Sequence, residues 1–310
     1  TEGKDILFSI TTNGTLLDDE KVSYMESHNV SLLVSLDGPK EIHDKNRVFA
    51  VNNCGTFDVV IRNIERIREK FPDFYKKISF NAVLDQSNNF SCINDFFTDF
   101  DAVRENNIMS SVVSEIYVKS KKEASEIFHL QQEYEKFKLF LSKLAKLKPE
   151  YTSKLISNYY TNLLKSYKIL KPTKKLTPKI HHGGPCIPGA QRLFLNVEGE
   201  FFPCERVSEK SEVMKIGHID TGIDIEKAKR LLNVGKLSED SCKKCWAFRF
   251  CTLCAATADS MNDLSSVLKL NKCSNVRYSA EQSLKDICTL REMGVYLDSN
   301  SATIDFKEAL

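Results

Sequence analysis

No run in this sequence approaches the ~20 consecutive apolar residues that a membrane span requires, although 42% of its 310 residues are hydrophobic. No excess of one charge stands out: 44 Lys and Arg meet 42 Asp and Glu, a formal net charge of +2. That balance gives no reason to expect a nucleic-acid or membrane partner. Lys and Arg gather between Val118 and Lys179, but Glu and aromatic residues are interleaved, the pattern of a solvated helical face. No internal repeat or low-complexity segment is present. The opening, TEGKDILFSI, lacks a basic stretch leading into an apolar one, so no export signal is expected and the expected location is the cytoplasm. It also lacks an initiator Met and runs almost directly into a strand pattern, so a longer protein is expected, its start upstream of Thr1.

Cysteine is abundant. The chain has ten, and seven of them lie between Cys186 and Cys273. A disulfide scaffold would be smaller and exported. Clustered thiols in a long, unexported chain point to metal instead.

Strand and helix patterns alternate through the first half. Strands are expected at Ile6–Ile10, Ser31–Leu36, Ile78–Leu84 and Met109–Val118. Helices are expected at Asp18–His28, Asp58–Phe71 and Ser91–Phe100, with Phe57, Val60, Ile61, Ile64, Ile67 and Phe71 at helical spacing and Pro72 closing the second. This alternation predicts βαβ units and a parallel sheet, open or barrel-like. Two long helical patterns, Lys122–Leu147 and Tyr151–Leu170, lead to a linker marked by Pro172 and Pro178. Beyond it, Arg192–Val197 and Glu200–Pro203 flank Glu198-Gly199 as a hairpin. Helices follow at Ile225–Leu232 and Tyr278–Arg291.

The candidate ligands are Cys186, Cys204, Cys242, Cys245, Cys251, Cys254 and Cys273. At their centre is Cys242-x2-Cys245-x5-Cys251-x2-Cys254. Each CxxC pair sets two thiolates on one tight turn, and soft thiolates suit zinc or an iron–sulfur cluster. Zinc ribbons separate their pairs by roughly 15–20 residues, and seven cysteines fit one closed zinc site badly. Spacing therefore favours clusters and leaves zinc as the alternative.

The ordered set of Cys186, Gly199, Cys204, Cys242, Cys245, Cys251, Cys254 and Cys273 resembles the SPASM domain, a C-terminal extension of radical S-adenosylmethionine (SAM) enzymes that modify peptides. Upstream, Thr12-Asn13-Gly14-Thr15, Ser35-Leu36-Asp37-Gly38-Pro39, His43-Asp44 with Arg47, and Gly55-Thr56-Phe57 resemble the middle of a radical SAM barrel. The resemblance implies an α/β fold: the later strands of a partial (β/α)6 TIM-like barrel over 1–120, a helical bridge and linker over 121–180, and a small α+β SPASM module over 181–310. It implies two auxiliary [4Fe-4S] clusters, one held by Cys186, Cys204 and Cys254, the other by Cys242, Cys245, Cys251 and Cys273. SAM and a third [4Fe-4S] cluster belong to the whole enzyme, although the CxxxCxxC loop that holds that cluster is absent from this sequence. Asn13, Ser35, Asp37 and Arg47 match positions near the SAM ribose and carboxylate; the alternative is ordinary turn chemistry. Glu205 matches an acidic residue that serves as a base in sulfatase-maturating relatives; the alternative is a surface ion pair with Arg206.

Two features depart from the family pattern. Cys251 and Cys254 stand one residue closer than usual, and the first cluster is one thiolate short. A substrate cysteine, or His181 or His182, is expected at the open iron; the alternative is that both histidines are exposed linker residues. Trp246 and Phe248 are expected to wall a cluster from water, Cys288 to be a buried core thiol, and His129 to be structural. Cys54 and Cys92 are isolated and read as ordinary thiols. The expected partners are a precursor peptide and an electron donor such as flavodoxin or ferredoxin. The expected activity of the whole enzyme is thioether crosslinking of a cysteine-containing ribosomal peptide through a 5′-deoxyadenosyl radical. The alternatives are formylglycine formation by a sulfatase-maturating enzyme, or a non-catalytic zinc- or cluster-stabilised module that binds peptide.

Overall fold

The first apolar run of the chain turns out to enter its sheet late. In the computed structural model, which describes residues 6–114, 116–118, 123–170 and 181–297, strand β1 is Ser9–Thr12, and Ile6, Leu7 and Phe8 lie exposed before it. Helix α1, Asp19–Ser27, starts where the Asp18 side chain accepts from the Lys21 backbone N–H. Strand β2 is Ser31–Ser35. A single helical turn, α2 (Lys40–His43), precedes the long helix α3, Phe57–Lys70. Val60, Ile61, Ile64 and Ile67 form its buried stripe. Pro72 ends that pattern and opens the short helix α4, Pro72–Tyr75. Strand β3, Ser79–Leu84, alternates strictly and buries Phe80, Ala82 and Leu84. Helix α5 is Phe90–Asp99 and strand β4 is Asn107–Val112, shorter than the expected Met109–Val118 at its far end.

All four strands are parallel and follow chain order, with Ser9 opposite Ser31, Leu33 opposite Ser79, and Ser79 opposite Asn107. Sequential order means a singly wound sheet, not the reversing order of a doubly wound one. Helices α6 (Glu126–Lys143) and α7 (Ser157–Leu170) follow. Pro172 and Pro178, the expected linker, lie outside the described residues.

The chain divides into two compact units, 1–115 with 119–161, and 116–118 with 162–310. The division after residue 161 falls inside α7. The core of the first unit gathers the apolar residues of the sheet with those of α1, α3 and α5.

The second unit holds a small antiparallel sheet, β5 (Phe194–Leu195), β6 (Glu200–Phe202), β7 (Gly217–His218) and β8 (Gly222–Ile223). The first pair is the expected hairpin, and Gly199 takes φ +86° in its turn, a left-handed value that favours glycine. Strands β7 and β8 have only two residues each, too short to leave a periodic trace in sequence. Helix α8, Ile225–Leu232, is capped by the Asp224 carboxylate. Next come α9 (Glu239–Cys242) and α10 (Ser266–Leu270). The last helix, α11, spans Cys273–Glu292 and so starts at Cys273, earlier than the expected Tyr278. Ala280, Ile287 and Leu290 are its buried residues. Cys288, expected in the core, is exposed because it sits about 100° round the helix from Ile287. Among the described residues no helix is long and apolar enough to cross a membrane.

Candidate functional site

The seven clustered cysteines form two sets. A cavity of about 230 Å³ in the second unit is lined by Cys242, Cys245, Cys251 and Cys273, with Phe248 and His182 among its other walls. The backbone explains the convergence. Cys245 N–H donates to Cys242 O, Phe248 N–H to Cys245 O, and Cys251 N–H to Phe248 O, at 3.1, 3.1 and 3.3 Å. Successive three-residue turns carry every third side chain to one side. The five-residue gap before Cys251 is thus two such steps, with Phe248 at the position between. Cys273 reaches the same cavity from the first residue of α11.

At Cys251 the turns stop. Its ψ is 121°, and Cys254 is extended at φ −115° and ψ −177°. Cys254 does not line that cavity, and Cys204 and Cys186 lie near enough for their charges to act on it. Cys204 follows β6 by one residue beyond Pro203, and both Cys204 and Cys254 pack against the core of the unit. Cys186 is exposed, in the segment after His181 and His182.

Burial pushes the Cys254, Cys251 and Cys273 thiols above the ordinary cysteine value, and neighbouring thiolates push the same way. Half-buried thiols of this kind become stable thiolates when a metal centre or neighbouring cations share their charge. The donor sets suit iron–sulfur clusters. Four thiols around a cavity of about 230 Å³ leave room for a polynuclear group.

The histidines divide. His182 is buried at 3% exposure, and its Nε2 lies 2.8 Å from the Leu253 carbonyl, to which it donates. It borders the four-cysteine cavity. His181 is exposed and engages the carbonyls of His182 and Leu232. The reading of both as exposed linker residues thus fails for His182, which the fold draws inward. Trp246 is 54% exposed and does not line this cavity, contrary to its expected role, whereas Phe248 does wall it. Trp246 follows Cys245 directly, off the three-residue repeat. His129 is exposed on α6, edge-on to Phe128, and Cys54 and Cys92 are exposed.

Glu205 is exposed and pairs mainly with Arg192, at 2.9 Å, with Arg206 farther at 3.6 Å. Arg192 was not anticipated; it opens the hairpin opposite the turn-out after β6.

The second group of candidates lies in the first unit, at the C-terminal ends of β1 and β2. Arg47 clamps Asp37 with two bonds, Nε to Oδ2 at 2.6 Å and Nη2 to Oδ1 at 3.0 Å. Asp37 Oδ1 also accepts the Val83 N–H at 2.9 Å, tying the loop after β2 to β3. Both oxygens of Asp37 are therefore committed within the protein. His43 and Thr56 extend the network, as His43 Nε2 meets Thr56 Oγ1 at 3.0 Å and Thr56 donates to Arg47 O. Asn13 is exposed, and its Oδ1 accepts from the backbone and hydroxyl of Thr15, an Asx turn. Ser35, the last residue of β2, is 9% exposed, and no hydrogen bond of its hydroxyl is present among the described residues.

Sequence reasoning missed three polar residues of the cavity. Lys269, Arg277 and Ser241 also line it. Lys269 lies inside the apolar stretch of α10, the single available signal that it points inward.

No protein-family model matches the chain. A cysteine-type anaerobic sulfatase-maturating enzyme of Clostridium novyi is 38% identical over 65 residues, 21% of this chain and 17% of that protein. The enzyme of the same description from Clostridium perfringens is 35% identical over 75 residues, 24% of this chain and 18% of its own. The matches thus span less than a fifth of these curated relatives. Over nearly the whole chain, the structure resembles anSMEcpe with bound AdoMet and the Kp18Cys peptide, at a TM-score of 0.60 and 21% identity, covering 93% of this chain and 77% of that one. A polyhistidine-tagged anSMEcpe with bound AdoMet gives 0.58, covering 92% and 76%. The chain has the α/β fold of anSMEcpe.

Proposed function

We propose that this chain is part of a radical SAM maturase that oxidises a cysteine-containing peptide or protein segment, and that its activity is of the sulfatase-maturating type. The observation that carries the reading is the division of seven thiols into four that line one cavity and three others, of which Cys186 and Cys204 act electrostatically on Cys254. The matches to sulfatase-maturating enzymes and the fold shared with anSMEcpe support the substrate class. They shift the choice away from thioether crosslinking, which the sequence put first.

In this reading the parallel sheet is part of a radical SAM barrel, and the second unit is a SPASM module. Cys242, Cys245, Cys251 and Cys273 hold one auxiliary [4Fe-4S] cluster. Cys186, Cys204 and Cys254 hold the other, with a fourth position open. When bound, SAM and its cluster supply the radical, and the auxiliary clusters supply an electron sink. The chain's own residues bind and orient. Ser35 and Asn13 stand at strand ends where such sheets collect ligands, and the Asp37–Arg47 clamp holds the loop beside Ser35 rigid. Glu205 serves as a base only if substrate draws it from Arg192. The electron donor is a small redox protein such as flavodoxin or ferredoxin.

The three-thiol count favours one second reading, in which Cys186, Cys204 and Cys254 would hold a cluster able to accept a substrate thiol and the product would be a thioether. Product mass separates the two. The protein as encoded by its gene, prepared anaerobically with SAM and reductant, is incubated with a cysteine peptide that carries a sulfatase active-site sequence. Formylglycine formation removes sulfur and adds oxygen, whereas a thioether loses two hydrogens and keeps sulfur. Zinc without sulfide in the isolated protein would sink both and leave a structural module.

A further inference from the structure

Lys269 is among the most deeply buried side chains of the molecule, at 1% exposure. A buried ammonium is costly unless an opposite charge or a full set of acceptors meets it. No carboxylate supplies that charge. Lys269 has no ion-pair partner among the described residues, and no Asp or Glu lines the cavity it borders. Its neighbours are sulfur and hydroxyl. Nζ donates to Ser238 Oγ at 2.7 Å and stands 3.9 Å from Cys242 Sγ. Its charge also reaches Cys251, Cys273 and His182.

Ser238 completes the arrangement. It is buried, and its Oγ lies 3.3 Å from Cys242 Sγ. Because Lys269 donates to that oxygen, the serine's own proton is left to point at the sulfur. The ammonium and the hydroxyl thus form a two-step donor chain ending on one ligand of the four-cysteine set.

We propose that Lys269 is a positioning residue for the group held in this cavity, the buried counter-charge that raises its reduction potential, with Ser238 carrying part of the effect to Cys242. The proposal rests on the reading that four thiolates here hold an iron–sulfur cluster. Each one-electron reduction adds a negative charge to such a cluster. A fixed cation against it, and a hydrogen bond to a ligand sulfur, both favour the reduced form. Arg277, one turn into α11 on the cavity rim, acts on Cys273 in the same sense but is exposed, so water screens it.

The test begins with iron and sulfide content of anaerobically prepared wild-type, Lys269→Met, Lys269→Arg and Ser238→Ala protein. A redox titration followed by electron paramagnetic resonance comes next. With iron content equal, Lys269→Met should lower one midpoint potential and leave the others in place. A tenfold loss in the reduction equilibrium is expected, about 59 mV for one electron. Ser238→Ala should move the same potential by less, and Lys269→Arg should keep it near wild type. Unmoved potentials in Lys269→Met with iron intact would overturn the proposal while leaving the cluster reading standing. If Lys269→Met instead loses half the iron with its circular dichroism intact, retention by Lys269→Arg supports the charge, and loss by both variants assigns packing and overturns it. Zinc without sulfide in the wild type would overturn the cluster reading and the proposal together.

Discussion

His43 is fully buried and held at both ring nitrogens, with Nε2 against Thr56 Oγ1 and Nδ1 accepting the Asp37 N–H at 3.3 Å. Burial pushes its pKa below the ordinary histidine value, and the nearby Asp37 only partly opposes this. The unfolded chain therefore takes up a proton near pH 6.5 that the folded chain refuses until lower pH. Stability is whole above about pH 6.5 and falls as pH drops from there towards the depressed folded value, at no more than ~1.4 kcal/mol per pH unit for this one proton. Denaturant midpoints of the first unit between roughly pH 5.5 and 7.5 should follow that slope, and His43→Gln should flatten it. Equal slopes in both proteins would remove His43 from the pH response. The same network qualifies the motifs that the sequence offered for cofactor binding. Asp37, Arg47, His43 and Thr56 spend their polar atoms on one another, so their spacing encodes a rigid loop. Ser35 alone of the four candidates is buried with no hydrogen bond of its side chain among the described residues. Sequence could flag all four but could not tell them apart, because the distinction lies in partners 10 to 46 residues away.

At the scale of elements, the second unit depends on close backbone crossings. Gly184 is the sharpest case: a Cβ there would lie 2.1 Å from the Leu253 carbonyl oxygen. No rotamer relieves a clash with backbone, so Gly184→Ala must push the 181–186 segment away from residues 252–254. Those two stretches carry Cys186 and Cys254. In the proposed reading, Gly184→Ala should lose about half of the iron, from the three-cysteine set, while the four-cysteine cluster keeps its spectrum. Iron analysis with Mössbauer spectroscopy would count the sites, and full retention would mean that Cys186 is dispensable. The larger elements were legible in the sequence because α3, β3 and α8 bury regular stripes. The three-residue turns that gather Cys242, Cys245 and Cys251 were legible only as spacing, since their period belongs to backbone hydrogen bonds and not to hydrophobicity. Strands β7 and β8 and helix α10 left no trace, being too short for a pattern. Cys288 misled because an apolar neighbourhood in sequence does not fix which side of a helix a residue takes.

The two units draw on different sources of stability. The first has a core of large side chains, with Phe80, Phe90, Phe97 and Phe128 all within 1% exposure. The second has a smaller core, part of it Ala255, Ala256 and Ala258, and its cysteines occupy space that a self-sufficient module would fill with Leu or Phe. A group bound only by the folded state adds its binding free energy to stability. Metal loss should therefore weaken the second unit selectively. Trp246, the only tryptophan in the chain, lies in that unit and reports on it alone. Circular dichroism at helical wavelengths reports on both units. In iron-loaded protein the two probes should unfold close together. After iron is stripped by chelator and oxidant, the fluorescence transition should move down by about ten degrees, while a circular dichroism component belonging to the first unit stays in place. A single transition that shifts as a whole would mean that the units unfold as one. No shift at all would mean that the cysteine module folds on its small core alone, and would count against a resident cluster in either thiol set.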